Sequence, residues 1–209
     1  MTINYFLQKE LSKYKGIYLE TGLSNGDSLY TASKLNFSKL ISIEINSSYI
    51  DKAKKRFSKE IENNKIEILE GNSSLIIEDV LRKYRNIDVI YLDAHFHGEG
   101  PEYAPLDKEI ECIVKSDTTP LVIIDDYFHI KKKIANSWTK YHDAKNIFNR
   151  LEKISEVCSE LPYSFKGRYN SYLISKKISF NIILFQRIKS FMLSLPKNLI
   201  KLVLNRPLN

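Results

Sequence analysis

Five short, largely apolar runs, several of them continuous rather than alternating and all separated by longer amphipathic stretches, constrain this chain more than any other feature. They are residues 16–20 (GIYLE), 39–45 (KLISIEI), 65–69 (KIEIL), 87–93 (IDVIYLD) and 120–125 (PLVIID). A strand with one wet face alternates apolar and polar residues. A run that is apolar throughout is covered on both faces, which means a parallel sheet with helices on either side. Helical periodicity fills the gaps at 26–35, 47–63, 73–85, 105–116 and 134–153, with one more helix at 4–14. This alternation predicts an open, doubly wound α/β fold. Residues 155–165 and 170–176, joined through Lys166-Gly167, read as a closing antiparallel pair that brings a mostly parallel sheet to seven strands. We therefore expect one domain over residues 1–177 and a basic, amphipathic helical tail over 178–209. A length of 209 residues holds one such core and not two.

Charge is distributed unevenly along that plan. The net charge is +7, yet residues 161–209 contain nine Lys and Arg and no acidic residue. The first 160 residues then hold 23 basic and 25 acidic residues, a slight negative excess. A nucleic-acid reader spreads its basic stripe over the folded domain, so nucleic acid is not an expected partner. Two cysteines, Cys112 and Cys158, are too few for a disulfide scaffold or a four-cysteine zinc site and suit a reducing compartment. The N-terminal stretch lacks a signal-peptide cleavage pattern, and no apolar run reaches the ~18 residues of a membrane span. The expected location is cytoplasmic. The tail has apolar residues at 184, 188, 191, 192, 195, 199, 202 and 203 and polar ones at 186, 190, 194, 197, 201 and 205, with Pro196 as a break. Three readings stay open for it: helices packed on the domain, a homodimer interface, or a peripheral contact with the inner face of an anionic membrane.

In a doubly wound sheet, ligands bind beyond the carboxyl ends of the strands. The first run ends Glu20-Thr21-Gly22-Leu23-Ser24-Asn25-Gly26-Asp27-Ser28. Small residues at 22, 24 and 26 permit a tight turn and a close backbone approach to a ligand. The spacing meets neither the dinucleotide nor the P-loop pattern. Glu44 closes the second run, about where a carboxylate accepts both hydroxyls of a ribose. Asn72 and Ser73 follow the third; the Asn72 amide can read an adenine edge, and either residue can cap the next helix. Asp93 ends the fourth, followed by His95, Phe96 and His97. Asp125 and Asp126 end the fifth, followed by His129. Three acids at neighbouring strand tips repel one another unless they share a cation or a substrate amine. An all-oxygen set of Asp93, Asp125 and Asp126 favours Mg²⁺. A rival set, Asp93, His95 and His97, suits Zn²⁺, Mn²⁺ or Fe²⁺.

These residues, in this order, resemble the class I S-adenosylmethionine-dependent methyltransferases, with a Rossmann-like fold, over residues 16–177. The matching positions are Glu20-x-Gly22-x-x-x-Gly26, Glu44, Gly71-Asn72-Ser73 and Asp93. The resemblance implies S-adenosylmethionine as cofactor: its methionine end over the glycine turn (Glu20, Gly22, Ser24, Gly26, Ser28), its ribose on Glu44 and its adenine by Asn72 and Ser73. Asp93 with Asp125-Asp126 is similar to the metal site of the catechol- and macrocin-type O-methyltransferases. The strings ETGLSNGDS and YLDAHF are similar to a loosely characterised bacterial methyltransferase-like group.

Two positions depart from those patterns. Ser24 stands where the family has a second glycine. Phe96 stands where the catechol type has a lysine base, which leaves the proton transfer to His95, His97 or His129. The expected activity is metal-assisted O-methylation of a sugar or other small polyol, free or lipid-linked, as in bacterial glycan modification. Two alternatives remain open: a metal hydrolase built on Asp93, His95 and His97, and a methyltransferase-like binding protein without turnover.

Overall fold

The structure is a computed structural model describing residues 3–95, 104–134, 137–155, 157–165 and 168–194. Its core is one seven-stranded sheet. In chain order the strands are β1 (Ile17–Thr21), β2 (Lys39–Glu44), β3 (Ile66–Glu70), β4 (Ile87–Leu92), β5 (Leu121–Ile124), β6 (Ser159–Phe165) and β7 (Arg168–Ile174). They are arranged β3-β2-β1-β4-β5-β7-β6. β1 through β5 pair in parallel, and β7 runs antiparallel to both β5 and β6. The expected architecture is therefore present.

The helices are α1 (Tyr5–Leu11), α2 (Asp27–Ser33), α3 (Ser47–Arg56), α4 (Ser58–Glu62), α5 (Ser73–Lys83), α6 (Leu106–Lys115), α7 (Tyr127–Lys132), α8 (Ala144–Ser155) and α9 (Phe180–Ser194). Alternate residues of each central strand feed two cores. Leu19, Ile43, Ile90 and Ile124 meet Ile77 of α5, Ile110 of α6 and Leu151 of α8 on one face. Tyr18, Leu40, Val89 and Ile123 meet Leu7 of α1, Leu29 of α2 and Ala53 of α3 on the other. Asparagines start three helices: the Oδ1 atoms of Asn4, Asn46 and Asn72 accept from Leu7 N, Ser48 N and Ser74 N at 2.8–3.0 Å.

Three features differ from the sequence expectation. The helix expected over 47–63 is broken into α3 and α4 at Phe57, whose φ of −112° and ψ of 23° leave the helical region as its ring enters the core. The helix expected over 134–153 is a 3-10 turn at Ser137–Tyr141 followed by α8, and an additional helix, α7, starts directly after β5. Burial of Tyr127 and Ile130 explains α7. They anchor the segment to the core through three-residue spacing too short to register as periodicity. Of the tail, α9 is described; residues 195–209 lie outside the described residues.

Candidate functional site

Strand order reverses between β1 and β4, and the sequence-predicted residues among those described lie at or just after the carboxyl ends of the parallel strands. The turn after β1 takes the left-handed backbone region at every second residue: Gly22 at φ 83°, Ser24 at 49° and Gly26 at 73°. A Cβ on Gly22 would lie 2.4 Å from the Asp93 carbonyl oxygen, so β1 and β4 approach there as only glycine permits. Ser24 takes the left-handed conformation despite its side chain. Its N–H donates to Glu44 Oε2 at 2.9 Å, while Glu44 Oε1 accepts from Ile45 N and Asn46 N, each at 2.9 Å. Glu44 thus ties the glycine turn to the end of β2.

Glu20 lies beneath the turn, fully buried, accepting from the Ser42 hydroxyl at 2.8 Å and the Tyr18 hydroxyl at 3.1 Å. Burial raises its carboxyl to about 7, and the hydroxyls of Ser28, Ser42 and Tyr18 partly offset that rise. Ser28 is accordingly buried against Glu20. Asn72 caps α5, its Oδ1 also accepting from the Ser74 hydroxyl at 2.8 Å. Ser73 is buried beside α6.

At the tips of β4 and β5, Asp93, His95 and Asp126 bring one ligand atom each within 4.8 Å of one another. His95 Nε2 is 2.8 Å from Asp126 Oδ2 and 3.5 Å from Asp93 Oδ1. The sequence placed Asp125 in this set; the structure engages it elsewhere. Its carboxylate accepts from the hydroxyls of Tyr91 and Tyr163 (the latter at 2.5 Å) and from Asp126 N at 2.7 Å. Asp126 occupies the cap position of α7 in the left-handed region, φ 52°, but its side chain does not cap. It turns to His95 and to the Asn170 amide. His95, one of the rival set, completes the group in place of Asp125. His97 lies outside the described residues, and His129 lies one turn into α7, outside the group.

Burial raises the Asp93 carboxyl well above its usual range, with Asp125 adding repulsion. Burial would lower the His95 imidazole, but the hydrogen bond to Asp126 and the charge of Asp93 lift it to about 9. Burial would also raise Asp126; the His95 and Asn170 contacts hold it at about 2. In the metal-free group the two neighbouring carboxyls therefore favour the imidazolium form of His95.

The donor set of two carboxylates and an imidazole suits a divalent ion displacing the His95 proton. The nitrogen shifts the preference from Mg²⁺ towards Mn²⁺, Fe²⁺ or Zn²⁺. Binding would stabilise the fold by about 2.7 kcal/mol at a hundredfold excess over Kd, a melting shift of roughly 5–11 °C. A thermal melt with Mn²⁺ should show that shift in the parent chain and not in Asp126→Ala.

Three residues went unnoticed in the sequence. Glu109 of α6 is buried, its Oε1 has no hydrogen-bond partner among the described residues, and burial lifts its carboxyl to about 7. It faces a small crevice shared with His95, Asp125 and His142, with room for about one water molecule. His142 Nδ1 is 2.9 Å from Asp107 Oδ2, and its Nε2 is unpartnered among the described residues. Trp138, from the 3-10 turn, stacks on His95 with ring centroids 4.0 Å apart. Glu109 did leave a signal: Leu106, Glu109, Ile110 and Ile113 share one helix face, so an acid sits in an apolar stripe. Trp138 and His142 left none: a 3-10 turn has no helical period to read, and His142 lies just beyond it.

No protein-family model matches the chain, and no curated protein matches it significantly. Solved structures do. An O-methyltransferase from Bacillus cereus in complex with S-adenosylhomocysteine superposes with a TM-score of 0.56 at 16% identity, over 82% of this chain and 80% of that one. The O-methyltransferase TomG from Streptomyces achromogenes, in complex with S-adenosylmethionine, gives 0.58 at 15% identity, over 83% and 80%. Spermidine synthase from Thermotoga maritima gives 0.56 at 16% identity, over 91% and 69%. These likenesses establish the Rossmann-like methyltransferase fold for this chain.

Proposed function

We propose that this chain is an S-adenosylmethionine-dependent O-methyltransferase acting on a hydroxyl of a sugar or other small polyol. The observation that carries the reading is the left-handed turn at Gly22–Gly26, tied by its backbone to Glu44 and set beside the Asp93–His95–Asp126 group. The turn and carboxylate suit a nucleoside whose ribose donates to Glu44. Gly22, Ser24 and Gly26 would line the methionine end, with Glu20 and Ser28 as the buried support beneath. Asn72 and Ser73 stand where the adenine would lie. The two methyltransferase neighbours, crystallised with S-adenosylhomocysteine and S-adenosylmethionine, support that cofactor.

The cofactor, when bound, supplies an electrophilic methyl group. The chain's task is then to orient a hydroxyl and remove its proton. Asp93 and Asp126 flank His95 and offer acceptors to that hydroxyl. A divalent ion held by Asp93, His95 and Asp126 would lower the hydroxyl's pKa. With His95 so engaged, Glu109 becomes the base candidate among the described residues, since burial lifts its carboxyl to about 7 and it lines the same crevice as His95. The acidic lining also favours a second reading, an amine acceptor, which the spermidine synthase neighbour makes concrete.

Calorimetric titration with S-adenosylhomocysteine tests the cofactor site. Two hydroxyl-to-carboxylate hydrogen bonds are worth about 3 kcal/mol, so Glu44→Ala should weaken binding by roughly a hundredfold. Absence of binding to the parent chain would overturn the proposal. Binding followed by methylation of polyamines and not of polyols would favour the amine reading, and binding without turnover on either would leave a cofactor-binding protein.

A further inference from the structure

Helix α9 packs with its less apolar side inward. At about 100° per residue, Ile182, Ile183, Gln186 and Ser190 share the side that lies against β6 and β7. Ser190 is buried there, and the other three are half-buried. The opposite arc carries Phe180, Leu184, Phe185 and Ile188, exposed by 70, 43, 62 and 56%. A surface helix normally buries its most apolar stripe, so this reversal leaves a bulky, largely apolar arc in solvent, interrupted by the exposed Asn181. Two exposed cations border that arc: Arg187 lies about 20° before Phe180 and Lys189 about 40° beyond Phe185.

An apolar arc between flanking cations is the arrangement of a helix lying in a lipid headgroup plane. Aromatic and aliphatic side chains enter the acyl boundary while Lys and Arg reach anionic heads. Charge separates this occupant from the others. Residues 161–209 contain nine basic residues and no acid. A second copy docked through the same arc would bring Arg187 and Lys189 against their own counterparts with no acid on the helix to pair them. Residues 195–209, themselves basic and apolar, supply none either. No helix among the described residues is long and apolar enough to cross a membrane, so the contact is peripheral.

We propose that α9 docks this protein on an anionic lipid surface, with Phe180, Leu184, Phe185 and Ile188 in the acyl boundary and Arg187 and Lys189 on the headgroups. The inference is independent of the catalytic reading. The test is co-sedimentation of the full chain with vesicles of phosphatidylcholine alone or mixed with phosphatidylglycerol. The chain should pellet with the mixed vesicles at least about tenfold more strongly, and added salt should weaken that binding. Arg187→Glu/Lys189→Glu and Phe185→Asp/Ile188→Asp should each lower binding more than about tenfold. Both should melt with the parent and bind S-adenosylhomocysteine equally, since these side chains are exposed and outside the cofactor site. Failure to pellet with anionic vesicles, equal binding to both vesicle types, or variants that bind like the parent would overturn the proposal. A dimer in solution that Phe185→Asp/Ile188→Asp dissociates, without vesicle binding, would assign the arc to a second copy and overturn it too.

Discussion

Gly22→Ala is expected to melt roughly 6–12 °C below the parent chain and to bind no S-adenosylhomocysteine at concentrations that saturate the parent. Its φ of 83° costs an alanine about 1–2 kcal/mol by itself. The added Cβ would also lie 2.4 Å from the Asp93 carbonyl oxygen, 2.7 Å from its carbon and 2.9 Å from Ala94 Cα. All three atoms are backbone, so no side chain can swing away; the end of β4 must move instead. That movement displaces Asp93 and the turn that Glu44 anchors. The summed loss is about 3 kcal/mol. Ser24→Gly is the matched control. Ser24 already pays for a left-handed backbone, at φ 49°, so glycine there should melt no lower than the parent. Calorimetric melts of the two variants decide the matter, and a Gly22→Ala chain that melts with the parent would refute the close approach.

Stability should peak near pH 4–5 and decline towards neutrality, the reverse of the common pattern. Glu20 and Glu109 each move from an unfolded value of 4.5 to about 7 in the fold, chiefly by burial. Between those values the native state keeps protons that the unfolded chain has released. The stabilisation from each is therefore whole below 4.5 and lost as pH rises through 7. At 1.36 kcal/mol per pH unit, each accounts for about 3 kcal/mol. Asp126 has the opposite sign: held at about 2 against 3.8, it stabilises above 3.8 and loses that contribution as pH falls through 2. Urea melts of the metal-free protein should show the midpoint falling steadily from pH 4.5 to above 7. Glu20→Gln should remove only its own share of that slope, because Glu109, Asp93, Asp125 and His95 are raised in the same sense. A parent chain equally stable across the interval would show that neither carboxyl is desolvated as the structure has it.

Much of this molecule is legible in its sequence, because the information is local. Runs such as IDVIYLD and PLVIID are apolar on both alternating sides, and only a strand covered on both faces satisfies that. Gly22, Gly26, Glu44, Asn72, Asp93 and Asp126 each follow a strand, and in a parallel sheet every strand delivers its carboxyl end to the same edge. Spacing alone therefore brought them together. Phe57 shows the limit: its helical period runs unbroken through residues 47–63, and only the demand of the core for a large ring breaks the helix there.

Tertiary structure decided what adjacency cannot. Asp125 and Asp126 are neighbours in the chain and equivalent by pattern, yet one serves Tyr91 and Tyr163 while the other faces His95. That choice was made by β6 and β7, which bring Tyr163 and Asn170 to the tip of β5 from some 40 residues away. Whether a histidine favours its neutral or its charged form likewise depends on which carboxyls enclose it, and only the fold sets Asp93 and Asp126 around His95. Helix α9 is the clearest case: its periodicity marks an apolar stripe, but which side meets β6 and β7 depends on the shape of the sheet edge it lies on. Short-range order is written in residue periods and strand ends. Pairing, protonation and the choice of buried face are fixed by contacts between residues distant in the chain.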